Sequence, residues 1–127
     1  MRALLILLSI FLHHNVAQAA YSGTIIAVAA STDSQKSIIA TISHASFFLL
    51  FDNEGEFLKS VPNQNKDNVG DAAADLAKQG ATVLVAQSFD RASLEAITAQ
   101  DMIPIRKKGV ASKVVQNMTA CEEPEKK

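Results

Sequence analysis

One continuous stretch, residues 67–90, constrains the fold more than any other part of the chain. In its first half, apolar residues recur at i, i+3, i+4, i+7 and i+8 from Val69 to Ala77, which is the spacing of an apolar helix stripe. Asp67 or Asn68 can cap the first amides of this helix, and Gly80 can adopt the left-handed conformation that ends it. The stretch therefore predicts a helix with both ends marked.

The helix leads directly into a strand of the sheet interior. Val83 to Ala86 is an apolar run that is too short for a helix and rich in β-branched residues. Gly23 to Ala30 is likewise apolar on both faces, so we expect both strands at the centre of a sheet. The predicted strands are 23–30, 46–52, 56–61, 83–86 and 102–105, and the predicted helices are 67–80, 91–100 and 110–118.

This order of elements, β-β-β-α-β-α-β-α, predicts an α/β fold with a mixed five-stranded sheet and three helices. An antiparallel meander comes first, joined at Asn53-Glu54-Gly55 by residues typical of a hairpin turn, and right-handed crossovers then add the parallel strands. The arrangement is ribonuclease H-like. If the first and fourth strands are neighbours, the crevice between residues 30–33 and 87–90 is the switch point, where open α/β sheets bind ligands.

The first 19 residues have the pattern of a secretory signal peptide. Arg2 supplies a positive start, Ala3 to Leu12 is apolar apart from one serine, and Ala17-Gln18-Ala19 is a small-x-small cleavage pattern. The apolar core has about half of the roughly 20 residues that a membrane span needs. We therefore expect a signal peptide over 1–19, one α/β domain over 20–120, a charged tail over 121–127, and a periplasmic or secreted protein. An uncleaved leader is the alternative.

Charge and cysteine content exclude further classes. Removal of Arg2 with the leader leaves 11 basic against 13 acidic residues, a net charge of -2, which argues against a nucleic-acid surface. Cys121 has no partner for an intramolecular disulfide, so the domain has to fold without one. We favour an exposed thiol without a role over an intermolecular disulfide or a soft metal ligand.

Several segments together resemble one known family, that of dinitrogenase iron-molybdenum cofactor biosynthesis. The resemblance covers nearly all of residues 23–118, and it implies a small ribonuclease H-like domain that binds or carries iron-sulfur or molybdenum-containing clusters and catalyses no reaction. The segments that carry it are Ile-Ala-Val-Ala in the first strand, Ile42-Ser43-His44 ahead of Phe47 to Asp52, Gly70 to Leu76 with Gly80, Thr82 to Ala86, and Leu94 to Ile97 ahead of Ile103-Pro104-Ile105.

The resemblance implies that His44 is a cofactor ligand, because it matches the histidine that follows the family's first loop. Other positions depart from the family. Ala45-Ser46 replaces a Phe-Gly pair, Gln87-Ser88 replaces a glycine pair, and Asn63 to Asp67 replaces a loop rich in histidine and glycine. The departures lie at the predicted ligand crevice.

The chemistry of the candidate residues leaves alternatives open. A neutral His44 ring can ligate a soft or borderline metal, or it can form a hydrogen bond with a loop carbonyl at the start of a strand. Asp90 is a candidate pocket residue and also a candidate helix cap, and Ser88 is equally a loop hydroxyl. The candidate cofactor-binding residues are His44, which is also the candidate metal ligand, Ser31, Asp33, Gln87, Ser88 and Asp90.

No catalytic constellation is recognisable. A ribonuclease H-type nuclease needs clustered carboxylates that begin inside the first strand, and residues 23–30 contain none. The sequence has no Gly-x-Gly-x-x-Gly, no phosphate-binding loop, no Cys-x-x-Cys and no Ser-His-Asp set at recognisable spacing. We therefore predict an exported, non-catalytic carrier of a metal cluster or small anionic ligand. The alternatives are a domain that binds a protein partner without a cofactor, and a hydrolase that depends on Ser88 or Asp90.

Overall fold

The computed structural model describes residues 24–120. The predicted signal peptide, Cys121 and the predicted charged tail lie outside the described residues. The strands are β1 (Ile25–Ala30), β2 (Phe47–Asp52), β3 (Phe57–Pro62), β4 (Ala81–Ala86) and β5 (Ile103–Arg106), and the helices are α1 (Val69–Lys78), α2 (Arg91–Ala99) and α3 (Ala111–Ala120), with a 3₁₀ turn at Ile42–His44. The predicted order of strands and α-helices is confirmed.

The five strands form one mixed sheet in the order β3-β2-β1-β4-β5. β1 pairs antiparallel with β2 and parallel with β4. At the two edges of the sheet, β3 pairs antiparallel with β2, and β5 pairs parallel with β4. Five of the six residues of β1 are buried, because this strand has neighbours on both sides and cores on both faces. The prediction that β1 and β4 are adjacent at the centre is confirmed.

The sheet separates two apolar cores. On one face, here called the two-helix face, Leu76 of α1 and Ile97 of α2 pack against strand residues such as Leu50. On the other, the one-helix face, Val115 of α3 packs against strand residues such as Phe51. No helix within residues 24–120 combines the length and the apolar character that a bilayer span requires.

Local interactions determine both ends of α1. The Asn68 side chain accepts a hydrogen bond from the amide of Asp71 at 3.0 Å, so Asn68 and not Asp67 is the cap of α1. Gly80 follows α1 with a φ of +97°, the left-handed conformation expected after a helix.

The edge strands differ from their predicted bounds by one residue. β3 begins and ends one residue later than predicted, and Pro62 lies opposite Phe47 within the ladder. Proline is tolerated there because an edge strand needs donors on one side only. β5 is also displaced by one residue, because the amide of Met102 donates to Ile97 and so belongs to the turn after α2.

Candidate functional site

The chain itself crosses the switch point between β1 and β4. The amide of Ala40 donates to the carbonyl of Ala29 at the end of β1, and the amide of Gln87 after β4 donates to the carbonyl of Ala40. Ile39 lies in the core of the one-helix face and Ile42 in that of the two-helix face. Residues 39–42, here called the crossing segment, therefore pass between the carboxyl ends of the two central strands.

The loop that carries Ser31 and Asp33 is attached to α3. The Ser37 hydroxyl, in a residue only 7% exposed, accepts a hydrogen bond from the amide of Thr32 at 3.1 Å and donates to the carbonyl of Ile38 at 3.2 Å. The carbonyls of Gln35 and Ser37 accept the first two amides of α3 at 2.9 Å. Ser31 and Asp33 are exposed in this loop.

Ser88 and Asp90 lead from β4 into α2, on the other side of the crossing segment. The carbonyl of Ser88 accepts the amide of Ile42 at 3.3 Å. The exposed Asp90 carboxylate caps α2 by accepting the amide of Ser93 at 2.8 Å. Hydrogen bonds from the hydroxyl and the amide of Ser93 hold the pKa of Asp90 below its usual value. The crossing segment therefore lies between the two halves of the predicted crevice.

His44 ends the 3₁₀ turn and is exposed. Its ring Nδ1 lies 2.9 Å from the hydroxyl of Thr41, so this ring nitrogen is engaged by a side chain of the same turn. Among residues 24–120, no three His, Cys, Asp or Glu side chains are grouped so that they could hold a metal ion. The role of His44 as a metal ligand stays a prediction, and His44 would supply one ligand of the four or more that metals usually take.

A cavity of about 190 Å³ lies on the two-helix face, between the starts of α1 and α2. The amino ends of two helices favour an anion. The charged side chains that line the cavity are Lys66, Asp67 and Asp90, so two carboxylates oppose one ammonium group. This site has mixed charge, and it contains one of the predicted site residues, Asp90. Its lining residues are Ile42, Ser43, Phe48, Asn63, Asn65, Lys66, Asp67, Val69, Ala72, Asp90 and Ser93.

A wider depression of about 500 Å³ opens where β4 and β5 end. It is lined by Gln87, Arg106, Lys107 and Lys108, and the three cationic residues are exposed. The amide of Lys107 donates to the carbonyl of Ala86 at 3.0 Å, which fixes the backbone of the basic run to the end of β4. Three cations and a carboxamide form a site suited to an anion, and we call it the cationic depression.

Sequence reasoning identified Gln87 in this depression but missed its three cations. The available signal was three consecutive basic residues, Arg106-Lys107-Lys108, directly after the last predicted strand. The net charge of the whole chain concealed this run, because acidic residues elsewhere balance it. Residues 24–120 contain nine Lys and Arg residues, and five of them lie in two segments, 31–37 and 106–113. Backbone hydrogen bonds from Ala111 and Ser112 to the first segment join the two. The five are Lys36, Arg106, Lys107, Lys108 and Lys113.

Comparison with known sequences returned no match. No protein-family model matches the chain. No curated protein matches it either.

Comparison with solved structures identifies proteins of the same fold. The apo form of the orange protein from Desulfovibrio gigas has a TM-score of 0.67 and 22% identity, over 77% of this chain and 88% of that one. A putative NifB protein from Thermotoga has a TM-score of 0.63 and 19% identity, over 79% and 88%. A putative dinitrogenase from Methanocaldococcus jannaschii has a TM-score of 0.53 and 13% identity, over 77% and 89%. At these identities the similarity establishes a shared fold.

Proposed function

We propose that this chain is a non-catalytic binding or carrier protein for a metal cluster or a small anionic ligand. The observation that carries the proposal is the cationic depression, where Gln87, Arg106, Lys107 and Lys108 surround the carboxyl ends of β4 and β5. Open α/β sheets bind ligands at this edge. The likeness in fold to proteins named as a putative NifB protein and a putative dinitrogenase favours a metal cluster as the cargo.

The donor set favours an anion held by charge over a metal ion held by ligation. Residues 24–120 do not bring three ligating side chains together, whereas Arg106, Lys107 and Lys108 offer cationic N–H donors. A cluster that brings its own inorganic ligands and carries negative charge can be bound through such donors alone. His44 would add one direct ligand.

A second candidate function is a protein-interaction domain that has lost the cargo. The observation that favours it is the crossing segment, since Ala40 occupies the space between the ends of β1 and β4 where a ligand would otherwise approach the backbone. A domain of this kind would keep the fold and bind a partner through its surface.

Metal analysis and an absorption spectrum distinguish these candidates. The protein would be purified without oxygen from the periplasm or the medium, the locations that the sequence predicts. Under the carrier proposal it contains stoichiometric iron, molybdenum or copper, and the Lys107→Glu/Lys108→Glu variant loses this metal. His44→Ala loses it as well if His44 is a ligand, while Lys59→Glu, on the far edge strand, retains it.

Direct titration with molybdate tests the anion site without relying on the natural cargo. We expect the Lys107→Glu/Lys108→Glu variant to bind at least about tenfold more weakly than the wild type, a difference of about 1.4 kcal/mol. A folded, metal-free protein that binds neither molybdate nor sulfate would overturn the carrier proposal and favour the interaction domain.

A further inference from the structure

Among residues 24–120, α3 covers the outer part of β4 and β5 on the one-helix face less completely than it covers the central strands. Val85, near the end of β4, is fully buried, whereas Val83 and Ile105 on the same face are only half-buried. Ile103 at the start of β5 is 58% exposed. The exposure of apolar side chains thus rises from the centre of the sheet to this edge.

The geometry of a sheet accounts for the gap. Neighbouring strands lie about 4.8 Å apart, so five strands span about 19 Å, whereas a helix with its side chains is about 10 Å wide. α3 lies over the central strands and the β2–β3 hairpin, where a Cβ on Gly55 would be 2.9 Å from the Thr119 hydroxyl. We use the word trough for the apolar strip of this face beside α3, which consists of Val83, Ile103 and Ile105. Val114 and Met118 of α3 pack, partly buried, against the same core as Val83 and Ile105.

Positively charged side chains lie at one end of this trough. Arg106, Lys107 and Lys108 directly continue β5 at its carboxyl end. Lys36 and Lys113 lie close by, because the loop at Gln35 is hydrogen-bonded to the start of α3. The acidic residue in these two segments, 31–37 and 106–113, is Asp33. An occupant of the trough would therefore meet apolar side chains along its length and cations at one end.

We propose that this trough binds an amphipathic helix of a partner protein that carries acidic residues at one end. Apolar residues at i, i+3, i+4 and i+7 of that helix pack on Ile103 and Ile105, and the acidic end contacts Arg106, Lys107 and Lys108. This is the helix-in-groove mode of recognition. The inference goes beyond the carrier function and does not rest on it.

Three features argue for a helix from a different protein. Pro104 removes a backbone donor from the edge strand β5, which disfavours recognition by an added strand. Each helix within residues 24–120 packs its buried apolar residues on the sheet, so a second copy offers single exposed residues such as Leu94 of α2 and no continuous apolar helix stripe among these residues. Localisation of the cations at one end favours complementary charge on one end of a helix over a uniformly charged membrane surface.

The test uses a synthetic peptide of about four helical turns, since shorter isolated helices are marginal. It carries leucines at i, i+3, i+4 and i+7 and glutamates at one end, and a scrambled peptide of the same composition is the control. Binding to the folded protein is measured by calorimetry and by amide chemical shifts. We expect the patterned peptide to bind at least about tenfold more tightly than the scrambled peptide and to change the amide chemical shifts of Val83, Ile103 and Ile105. Its affinity should fall as the salt concentration rises.

Matched variants locate the contact. Ile103→Asp should reduce affinity for the patterned peptide by about tenfold or more, a loss of about 1.4 kcal/mol. Leu58→Asp changes another exposed side chain, 48% exposed on the opposite edge strand, and should leave binding unchanged. Lys107→Glu/Lys108→Glu should weaken binding and reduce its salt dependence. Ile103→Asp should not alter molybdate binding, so this inference and the carrier proposal fail separately.

Three results would overturn the inference. The first is equal binding of the patterned and scrambled peptides, or shifts that avoid Ile103 and Ile105. The second is a wild-type dimer that Ile103→Asp dissociates while the peptide does not bind, which assigns the trough to a second copy. The third is binding to vesicles that contain phosphatidylserine but not to the peptide, which assigns it to a membrane surface.

Discussion

The two faces of the sheet share the same strands but are covered in different ways. On the two-helix face, α1 and α2 lie side by side over the sheet, and core residues such as Leu76 and Ile97 are almost fully buried. On the one-helix face, α3 buries the central strands, while Ile103 on β5 stays 58% exposed. The difference shows that the number of helices on a face decides how much of its apolar surface folding removes from water. What remains exposed is available for recognition.

The helix starts differ between the faces as well. α1 and α2 are capped by the side chains of their own preceding residues, Asn68 and Asp90. The first amides of α3 donate instead to backbone carbonyls of Gln35 and Ser37, more than 70 positions earlier in the chain. The helix starts on the two-helix face are therefore stabilised by local side-chain caps, whereas the helix start on the one-helix face is stabilised by a long-range contact with a loop.

The largest expected effect is on the covered face. Leu76→Ala removes a side chain that is 3% exposed in the core of the two-helix face, and it should lower the free energy of unfolding by about 2–5 kcal/mol. Urea denaturation followed by circular dichroism measures this change. A loss below about 1 kcal/mol would mean that the two-helix core collapses around the gap and is less rigid than its burial indicates.

Gly55→Ala tests the contact between the hairpin and α3. Gly55 has a φ of +87°, and an added Cβ would lie 2.9 Å from the Thr119 hydroxyl, so we expect a loss of about 1–3 kcal/mol. Thermal unfolding measures it. The same change in a Thr119→Ala background separates the two causes, because only the steric part should disappear. An equal loss in both backgrounds would assign the whole cost to the backbone.

Asp90→Ala tests local capping on the two-helix face. Loss of the hydrogen bond from the amide of Ser93 should lower the free energy of unfolding, by less than Leu76→Ala does, because a helix cap is lost and no core side chain is removed. Asp90→Asn is the matched control, since an asparagine caps almost as well. Equal losses in the two variants would show that the charge of Asp90, and not its capping geometry, stabilises α2.

The pH dependence of stability has a defined sign at Asp90. Hydrogen bonds from Ser93 hold the pKa of Asp90 below its usual value, so the folded state favours the carboxylate. The stabilisation is present above the unfolded value of about 3.9 and is lost as pH falls through the lower folded value. Below about pH 4, the difference in stability between wild type and Asp90→Asn should shrink, and a difference that grows there would contradict this assignment.

The smallest expected effect is on the open face. Ile103→Ser changes a residue that is 58% exposed, and the free energy of unfolding should stay within about 0.5 kcal/mol of the wild-type value. A loss comparable with that of Leu76→Ala would mean that the β4–β5 side is covered in solution, and the contrast between the faces would fail. Urea denaturation at two protein concentrations makes the measurement and detects any self-association.

Much of the fold was predictable because its signals are local. The apolar spacing of α1, the cap at Asp90 and the turn at Gly80 depend on residues within one or two helical turns, and all three predictions are confirmed. The apolar runs of β1 and β4 similarly predicted the central strands. The bounds of the strands were less accurate than their order: both edge strands are displaced by one residue, and β4 begins two residues before its predicted start. The apolar pattern does not show where a ladder partner begins or ends.

The candidate site was harder to predict because it depends on contacts between distant segments. Ala40 has no sequence feature that distinguishes it, yet its backbone joins the ends of β1 and β4. Gln87 was identified from its place after a strand, while Arg106, Lys107 and Lys108 became part of a site only when β5 placed them beside it. Periodicity reports the burial of one element and carries no information on which loops meet.

Apolar periodicity and helix caps act over a few residues, so the amino-acid sequence was sufficient to predict the class of fold, the order of its elements and the central position of β1 and β4. Three features follow only from contacts between distant segments: residues 39–42 pass between the two central strands, the cations after β5 lie beside Gln87, and α3 leaves Ile103 on β5 58% exposed. These features arise from the relation between the width of a five-stranded sheet and the width of a single helix, and from backbone hydrogen bonds between segments far apart in the chain.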